Sequence, residues 1–378
     1  MSAQNLYSLK DKAKIGFTLA AQCAVFTAGA LLITNPWYLA AGVTVAAFSM
    51  YQSIKTTREI MGGHLKRYND WHPHSPNLGF MVKELYERTG LSDTDYPIYD
   101  LQAREDSALP DTQKKSLAKL ALTPNAMAFK IDKPVIMITE PLLELLTDEE
   151  EYAVLAHEFV HAKADHILFR LPFTFMATTL GSAFFFATVG EIVSAGLQPL
   201  LLAAASIAAL PKILDFVEEK FDLKRSSLYD LVEALTPIVA PIAILAAANA
   251  AILPTAGLYI ASSIASLLAV SALSRINEYQ ADREATSLGA NPLALITSLR
   301  KLTALQERVN NKPTTAKKDW FTKAFSTHPA LKERTEALAR KAKQLNYSLE
   351  EINEGLYGSI TLPERSISRY AIDATLKR

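Results

Sequence analysis

Long uncharged apolar blocks alternate with charged blocks along this chain, and the alternation predicts two kinds of element. Ile15 to Thr34 carries no charge, and a shorter block, Trp37 to Ile54, follows Asn35-Pro36. A third block runs from Leu171 to Gly190 and a fourth from Ile192 to Pro211, parted only by Glu191. Ala234 to Ser274 is again uncharged, with a break near Pro254 and Gly257. A helix needs about 20 apolar residues to cross a bilayer, so the first four blocks fit one crossing each and the last fits two. Helices of a soluble core keep a polar stripe, and these blocks show none. A secretory signal ending at Ala28-Gly29-Ala30 is the rival reading of the first block. That site lies inside an apolar run with a second block directly behind it, which favours a membrane hairpin.

The basic residues are distributed unevenly about these blocks. Lys10, Lys12 and Lys14 precede the first and Lys55 and Arg58 follow the second. Lys163 and Arg170 precede the third, Lys212 follows the fourth and Arg275 follows the last. The opposite connections hold no Lys or Arg. The positive-inside rule then gives three hairpins with both termini in the cytoplasm. The expected organisation is an N-terminal transmembrane hairpin (1–54), a first cytoplasmic part (55–166), a transmembrane region (167–274) with a cytoplasmic loop at 212–233, and a second cytoplasmic part (275–378).

The charged blocks read differently. Glu151 to His166 has no Pro or Gly and predicts a helix, with Thr147-Asp148-Glu149-Glu150 as its cap and acidic first turn. Upstream, Pro124 to Phe129 and Pro134 to Thr139 predict two short strands around Asp132-Lys133. Lys312 to Asp319 reads as a polar linker, and periodicity is weak after Leu345. Equal numbers of basic and acidic residues, 39 each, leave no net charge to hold a polyanion, so nucleic acid is excluded as a partner. The single cysteine, Cys23, rules out an internal disulfide framework and a zinc-finger pattern.

Within the predicted helix stands His157-Glu158-Phe159-Val160-His161. Residues four apart share a helical face, so the two imidazoles aim at a common point and suit a small tetrahedral cation such as Zn2+. Glu158 is placed to take a proton from a zinc-activated water without itself binding the ion. The neighbours Tyr152, Val154, Leu155, Phe159 and Val160 are too apolar for a helix that merely faces solvent. Two histidines leave zinc one protein ligand short, since catalytic sites usually use three. Glu151, Asp165, His166, Glu191 and Asp282 are nearby donors, but Asp165 and His166 do not share the metal-facing arc together and Glu191 would lie across the bilayer, so Glu278 is the better candidate. Glu278 and Asp282, four apart just after the last apolar block, could supply a ligand and an acid behind it from one face. They read equally well as ordinary acids of an interfacial helix.

Three signatures together resemble the membrane-embedded zinc metallopeptidases that include the HtpX-like stress proteases and the CaaX prenyl proteases, a branch of the gluzincins. They are Val154 to His161, then Asn277-Glu278-Tyr279-Gln280-Ala281-Asp282, then Ser326-Thr327-His328-Pro329-Ala330-Leu331-Lys332-Glu333-Arg334. The resemblance covers about Pro124 to Ala339. It implies one zinc ion held by His157, His161 and Glu278, Glu158 as general base, Asp282 orienting a ligand and His328 near the reacting carbonyl. His328-Pro329 reads equally as the cap of a structural helix; Arg334 reads as the partner of a nearby acid or, in preference, as a solvated helix charge. The family's hairpin before the metal helix lines up substrate along its edge strand, which the strands around Asp132-Lys133 match. Four crossings between the second histidine and Glu278, where HtpX-like proteins commonly have two, are a departure.

The reading is a mainly α membrane protein: transmembrane helical hairpins with a cytoplasmic gluzincin-type zinc protease domain that contains a small β-hairpin or sheet. Its expected function is a zinc-dependent endopeptidase working at the cytoplasmic face of a multi-pass membrane protein, the inner membrane if the cell is bacterial, in membrane protein quality control. The partners are the lipid bilayer and polypeptides, misfolded or membrane proteins among them, with room for a homo-oligomer. A CaaX-type prenyl protease and a catalytically degenerate membrane scaffold are the alternatives.

Overall fold

A computed structural model describes residues 36–67, 75–101, 120–130, 133–164, 253–310 and 329–363, with isolated positions between them. The chain divides into two compact units, one of residues 1–12, 53–169 and 274–378 and one of residues 13–52 and 170–273. The described elements are mostly helical with one small sheet: α1 (Pro36–His64), β1 (Leu65–Arg67), α2 (Leu78–Thr89), β2 (Ile98–Leu101), β3 (Ala126–Lys130), β4 (Pro134–Ile138), α3 (Glu140–Leu145), α4 (Asp148–Lys163), α5 (Leu253–Ser287), α6 (Pro292–Asn310), α7 (Leu331–Gln344) and α8 (Leu349–Tyr357).

In the first unit the sheet has the order β1-β2-β4-β3. The hairpin expected around Asp132-Lys133 is β3–β4, antiparallel, with Ala128 opposite Ile136 and Met127 opposite Met137. Strand β4 is central, parallel to β2, and Val135 to Ile138 are all buried, as a strand covered on both faces requires. Ile136 and Ile138 join the helical core, while Met137 packs with Leu101, Met127 and Phe129 on the other face. Strand β3 is left at the edge. The buried Thr139 hydroxyl fixes where it starts, donating to the Thr123 carbonyl (2.8 Å) and accepting from the Asn125 N–H (2.9 Å). Strands β1 and β2 have no matching signal in the hydrophobic pattern. They are three and four residues long.

Helix α4 begins where the sequence puts it. Thr147 and Glu150 form a reciprocal capping box, with the Thr147 N–H 2.8 Å from Glu150 Oε2. Each acid of the first turn also reaches another element. Asp148 bonds Asn77, Glu149 lies 3.4 Å from Asn291, Glu150 pairs with Lys301 at 2.6 Å, and Glu151 accepts from the Ser75 hydroxyl. Below them, fully buried Phe159 meets Tyr86 edge-on with ring centroids 5.3 Å apart. Leu78, Leu85, Leu155, Leu295, Ile296 and Leu338 fill the same core. The turn into α6 is made at Gly289, with φ +93°, where a Cβ would collide with the Arg88 guanidinium. The preceding carbonyl, of Leu288, accepts from Tyr152 Oη (2.9 Å) and Arg88 Nη1 (3.3 Å). Helix α8, beyond the last periodicity read from the sequence, starts at a second capping box, Ser348 with Glu351. Arg300 closes its far end, donating to the carbonyls of Gly355 and Gly358, both at 2.6 Å.

In the second unit, the α1 residues that belong to it bring Gly42 so close to the Thr179 carbonyl and Ala183 that no Cβ fits between them. Backbone contact of this kind is characteristic of helices packed through small residues. Trp37, Phe48 and Tyr51 on the same helix are exposed, Trp37 by 78%. Among the described residues no helix is long and apolar enough to cross a membrane. Of the expected crossings, Trp37 to Ile54 lies on α1, where Ser49, Gln52 and Ser53 dilute its apolar run. Of the last block, 234–274, residues 253–274 lie on α5, while the other expected crossings, the loop at 212–233 and the linker at 312–319 fall wholly or largely outside the described residues. Helix α5 begins at Leu253, next to the break expected at Pro254, and runs without interruption past Glu278 and Asp282 to Ser287.

Candidate metal centre

Two elements supply the polar groups of the site. His157 and His161 lie one turn apart on α4, both buried, with ring centroids 4.7 Å apart and their Nε2 atoms 3.1 Å apart. Glu278, on α5 and 5% exposed, faces them, with Oε2 3.6 Å from His157 Nε2 and Oε1 3.7 Å from His161 Nε2. Among the described residues, these three form a set whose donor atoms all fall within 4.8 Å of one another. Donors at the corners of a zinc tetrahedron, each about 2.0–2.1 Å from the ion, stand roughly 3.3 Å apart. The spacing in the chain fits that requirement. Two imidazoles and one carboxylate are also a donor set that zinc takes in hydrolytic sites, leaving a fourth position open.

A second carboxylate stands behind the first histidine. Asp282 Oδ1 is 3.0 Å from His157 Nδ1, within reach although off the line of a strict hydrogen bond. A proton on Nδ1 directed at Asp282 leaves the Nε2 lone pair for a metal. Burial works against a charge on Asp282, but Arg334 and His157 outweigh it and hold its carboxyl below the usual range. Burial likewise disfavours a protonated His157, yet the flanking Asp282 and Glu278 prevail and raise its pKa. The net local charge is negative enough to attract a cation, proton or metal.

Of the two readings of Arg334, the structure bears out pairing with a nearby acid. The expectation of a solvated helix charge is corrected: the residue is 8% exposed and sits at the centre of the acids. Its Nε and Nη2 donate to Asp282 Oδ2 and Oδ1 at 2.8 and 2.6 Å, and Nη1 lies 3.0 Å from Glu278 Oε2. A signal was present. Arg334, Leu338 and Ala342 recur at four-residue spacing and all three are buried, so the arginine is on the inward stripe of α7.

Glu158 occupies the position next to His157 and is partly buried at the side of β3. Burial pushes its carboxyl up, while His157, the Ala128 backbone N–H and Arg334 pull it back only in part. A carboxylate made more basic in this way accepts a proton more readily. His328 lies outside the described residues, so its position relative to these groups is not part of the geometry. Pro329 and Ala330 follow it, and Ala330 is the N-cap of α7. Asp165, His166 and Glu191 lie outside as well, and Glu151 is turned to Ser75.

A model of peptidase family M48 matches residues 82–220 and 222–342, well over half of the chain and every residue of the site described above. The chain belongs to peptidase family M48. Among curated relatives, it is 29% identical over 239 residues to a protease HtpX homolog of Methanopyrus kandleri, covering 59% of this chain and 58% of the relative. It is 29% identical over 236 residues to one of Methanocaldococcus jannaschii, covering 59% and 67%. To a third, of Desulforapulum autotrophicum, it is 28% identical over 224 residues, covering 56% and 58%. The match thus spans about three-fifths of the length of these relatives. The candidate donors of this chain come from two stretches separated by more than a hundred positions.

Proposed function

We propose that this chain is a zinc-dependent endopeptidase that hydrolyses peptide bonds of unfolded or membrane polypeptides at the cytoplasmic face of a membrane. The observation that carries the reading is the convergence of His157, His161 and Glu278, three buried donors at zinc spacing, beside Glu158, which is not among them and whose carboxyl burial pushes up. His157, His161 and Glu278 would hold the ion and Asp282 would orient His157 through Nδ1. Bound zinc supplies a Lewis acid that activates water and polarises a carbonyl. Glu158 takes the proton of the attacking water and returns it to the nitrogen of the departing amine, so that one carboxylate serves as base and then as acid.

The substrate class rests on β3. Its outer edge is unpaired within the sheet, and the Ala128 backbone N–H faces Glu158. A polypeptide laid along that edge is held by main-chain hydrogen bonds, which tolerate many sequences. The membrane setting rests on the charge-free blocks, the basic residues at their ends and the exposed aromatic residues of α1. Work in protein quality control agrees with the breadth of such a site and with the resemblance to HtpX-like proteases.

The deciding experiment measures metal content and cleavage on the same preparations. The full chain purified in detergent should carry one zinc per chain and cut an unstructured polypeptide. Glu158→Gln should keep the zinc and lose activity by about 10²–10⁴-fold. A wild type that binds no zinc, or a Glu158→Gln variant that cleaves normally, refutes the proposal.

A further inference from the structure

We infer that Arg334 is a positioning residue of the metal centre: it contributes no metal donor, yet its guanidinium fixes both the carboxylate that completes the donor set and the carboxylate that orients His157. The inference rests on the zinc reading above and deepens it. Three observations carry it.

The first is the pattern of contacts. Nε and Nη2 grip Asp282 at two points, and the remaining nitrogen, Nη1, lies 3.0 Å from Glu278. One planar group therefore sets the distance and angle between two acids that stand one turn apart on α5. Asp282 Oδ1 is shared between Arg334 Nη2 (2.6 Å) and His157 Nδ1 (3.0 Å), so the orientation of the imidazole depends on where the guanidinium holds the carboxylate. An ammonium cannot reproduce this geometry, because it offers a point charge rather than a fork.

The second is charge. Glu278, Asp282 and Arg334 are each at least nine-tenths buried. With the arginine the three sum to one negative charge, and without it to two on the same face of one helix. Buried like charges at that separation repel, and a carboxylate that turns away takes with it the acceptor behind His157 or the direction of Glu278.

The third is that α7 does not depend on Arg334 for its attachment. Leu338 is 2% exposed in the main apolar core and Ala342 is fully buried. Tyr279 Oη also donates to Glu333 at 3.1 Å, a separate tie between α5 and α7. Without the guanidinium α7 still has its apolar face and the Tyr279 tie, so an effect on the metal centre can be read apart from the attachment of the helix.

The test uses the full chain in detergent as wild type, Arg334→Lys, Arg334→Met and, as a control, Lys332→Met, whose side chain is exposed on the same helix. Zinc dissociation constants come from competition with a chromophoric chelator. The visible spectrum of the Co2+-loaded protein reports ligand geometry, and melting of the metal-free protein reports the fold. Arg334→Met should weaken zinc binding by about 10–100-fold, as loss of groups behind metal ligands does, and shift the cobalt bands. Arg334→Lys should recover only part of the affinity, and Lys332→Met should match the wild type. A lowered melting temperature with unchanged zinc affinity and cobalt spectrum would mean a structural role alone and would overturn the inference. Full recovery by Arg334→Lys would overturn the fork. If Arg334→Met does not fold, Arg334→Lys decides by the same criterion. A wild type without zinc would instead remove the reading on which the inference stands.

Discussion

Glu151 offers a quantitative test of the packing at the head of α4. The residue is 2% exposed, its carboxylate accepts from the equally buried Ser75 hydroxyl, and Asp148 and Glu150 flank it. Burial raises its pKa from the ordinary 4.5 to about 8, with the Ser75 bond opposing and the two neighbouring acids adding to the rise. The folded state therefore holds a proton on Glu151 through a window in which the unfolded chain has released it. Stability must fall as pH rises from 4.5 through about 8, and level off beyond. At about 1.4 kcal/mol for each tenfold change in proton concentration, the window carries roughly 5 kcal/mol at most. Relaxation of the site around the charge reduces that figure. Glu151→Gln keeps the shape and the acceptor for Ser75 but removes the titration. The measurement is thermal unfolding of metal-free wild type and variant, followed by circular dichroism from pH 5 to 9. Near pH 5 the two midpoints should nearly coincide. By pH 8.5 the variant should melt higher, by on the order of 10 °C for a folded unit of this size. Parallel curves across the whole range would refute the reasoning, because they would mean that Glu151 is ionised in the folded state from the start.

Two further changes probe the same framework. Lys301→Met should cost about 2–3 kcal/mol, less than the 3–5 of a fully buried pair, because Glu150 keeps its bond from the Thr147 N–H. Adding Glu150→Gln should recover part of that loss in urea titrations, and an additive double variant would argue against the pairing. Phe159→Ala removes a side chain with no exposed surface and its edge-on contact with Tyr86, and should destabilise by about 3–5 kcal/mol. A loss under 1 kcal/mol by chemical denaturation would mean that the core around α4 is looser than described.

Much of the candidate site could be read in the order of residues because its information is local. The spacing of His157 and His161 needs only a helix, and the helix is announced by Thr147 with Glu150 and by the absence of Pro and Gly. The β3–β4 hairpin is equally local, two five-residue strands with three residues between them. Glu278 and Asp282 share a face for the same reason, although spacing alone left them equally readable as ordinary acids of an interfacial helix. Strands β1 and β2 escaped notice because three- and four-residue strands carry too little pattern, and their place is set by pairing with β4 and each other. Helix α8 was passed over although Ser348 and Glu351 spell its cap, since a nine-residue helix has few turns in which to repeat a stripe.

What a linear chain could specify unaided was therefore the set of groups that lie within one or two turns of each other: two imidazoles and their base on one helix, two carboxylates on another. Folding alone decided that the two helices face each other with donors 3.1 to 3.7 Å apart, and that Arg334 stands between the acids. The physical reason is the range of the interactions. Helical spacing follows from backbone geometry within a few residues, whereas the burial that forces Glu278, Asp282 and Arg334 to satisfy one another exists only once distant segments have closed over them.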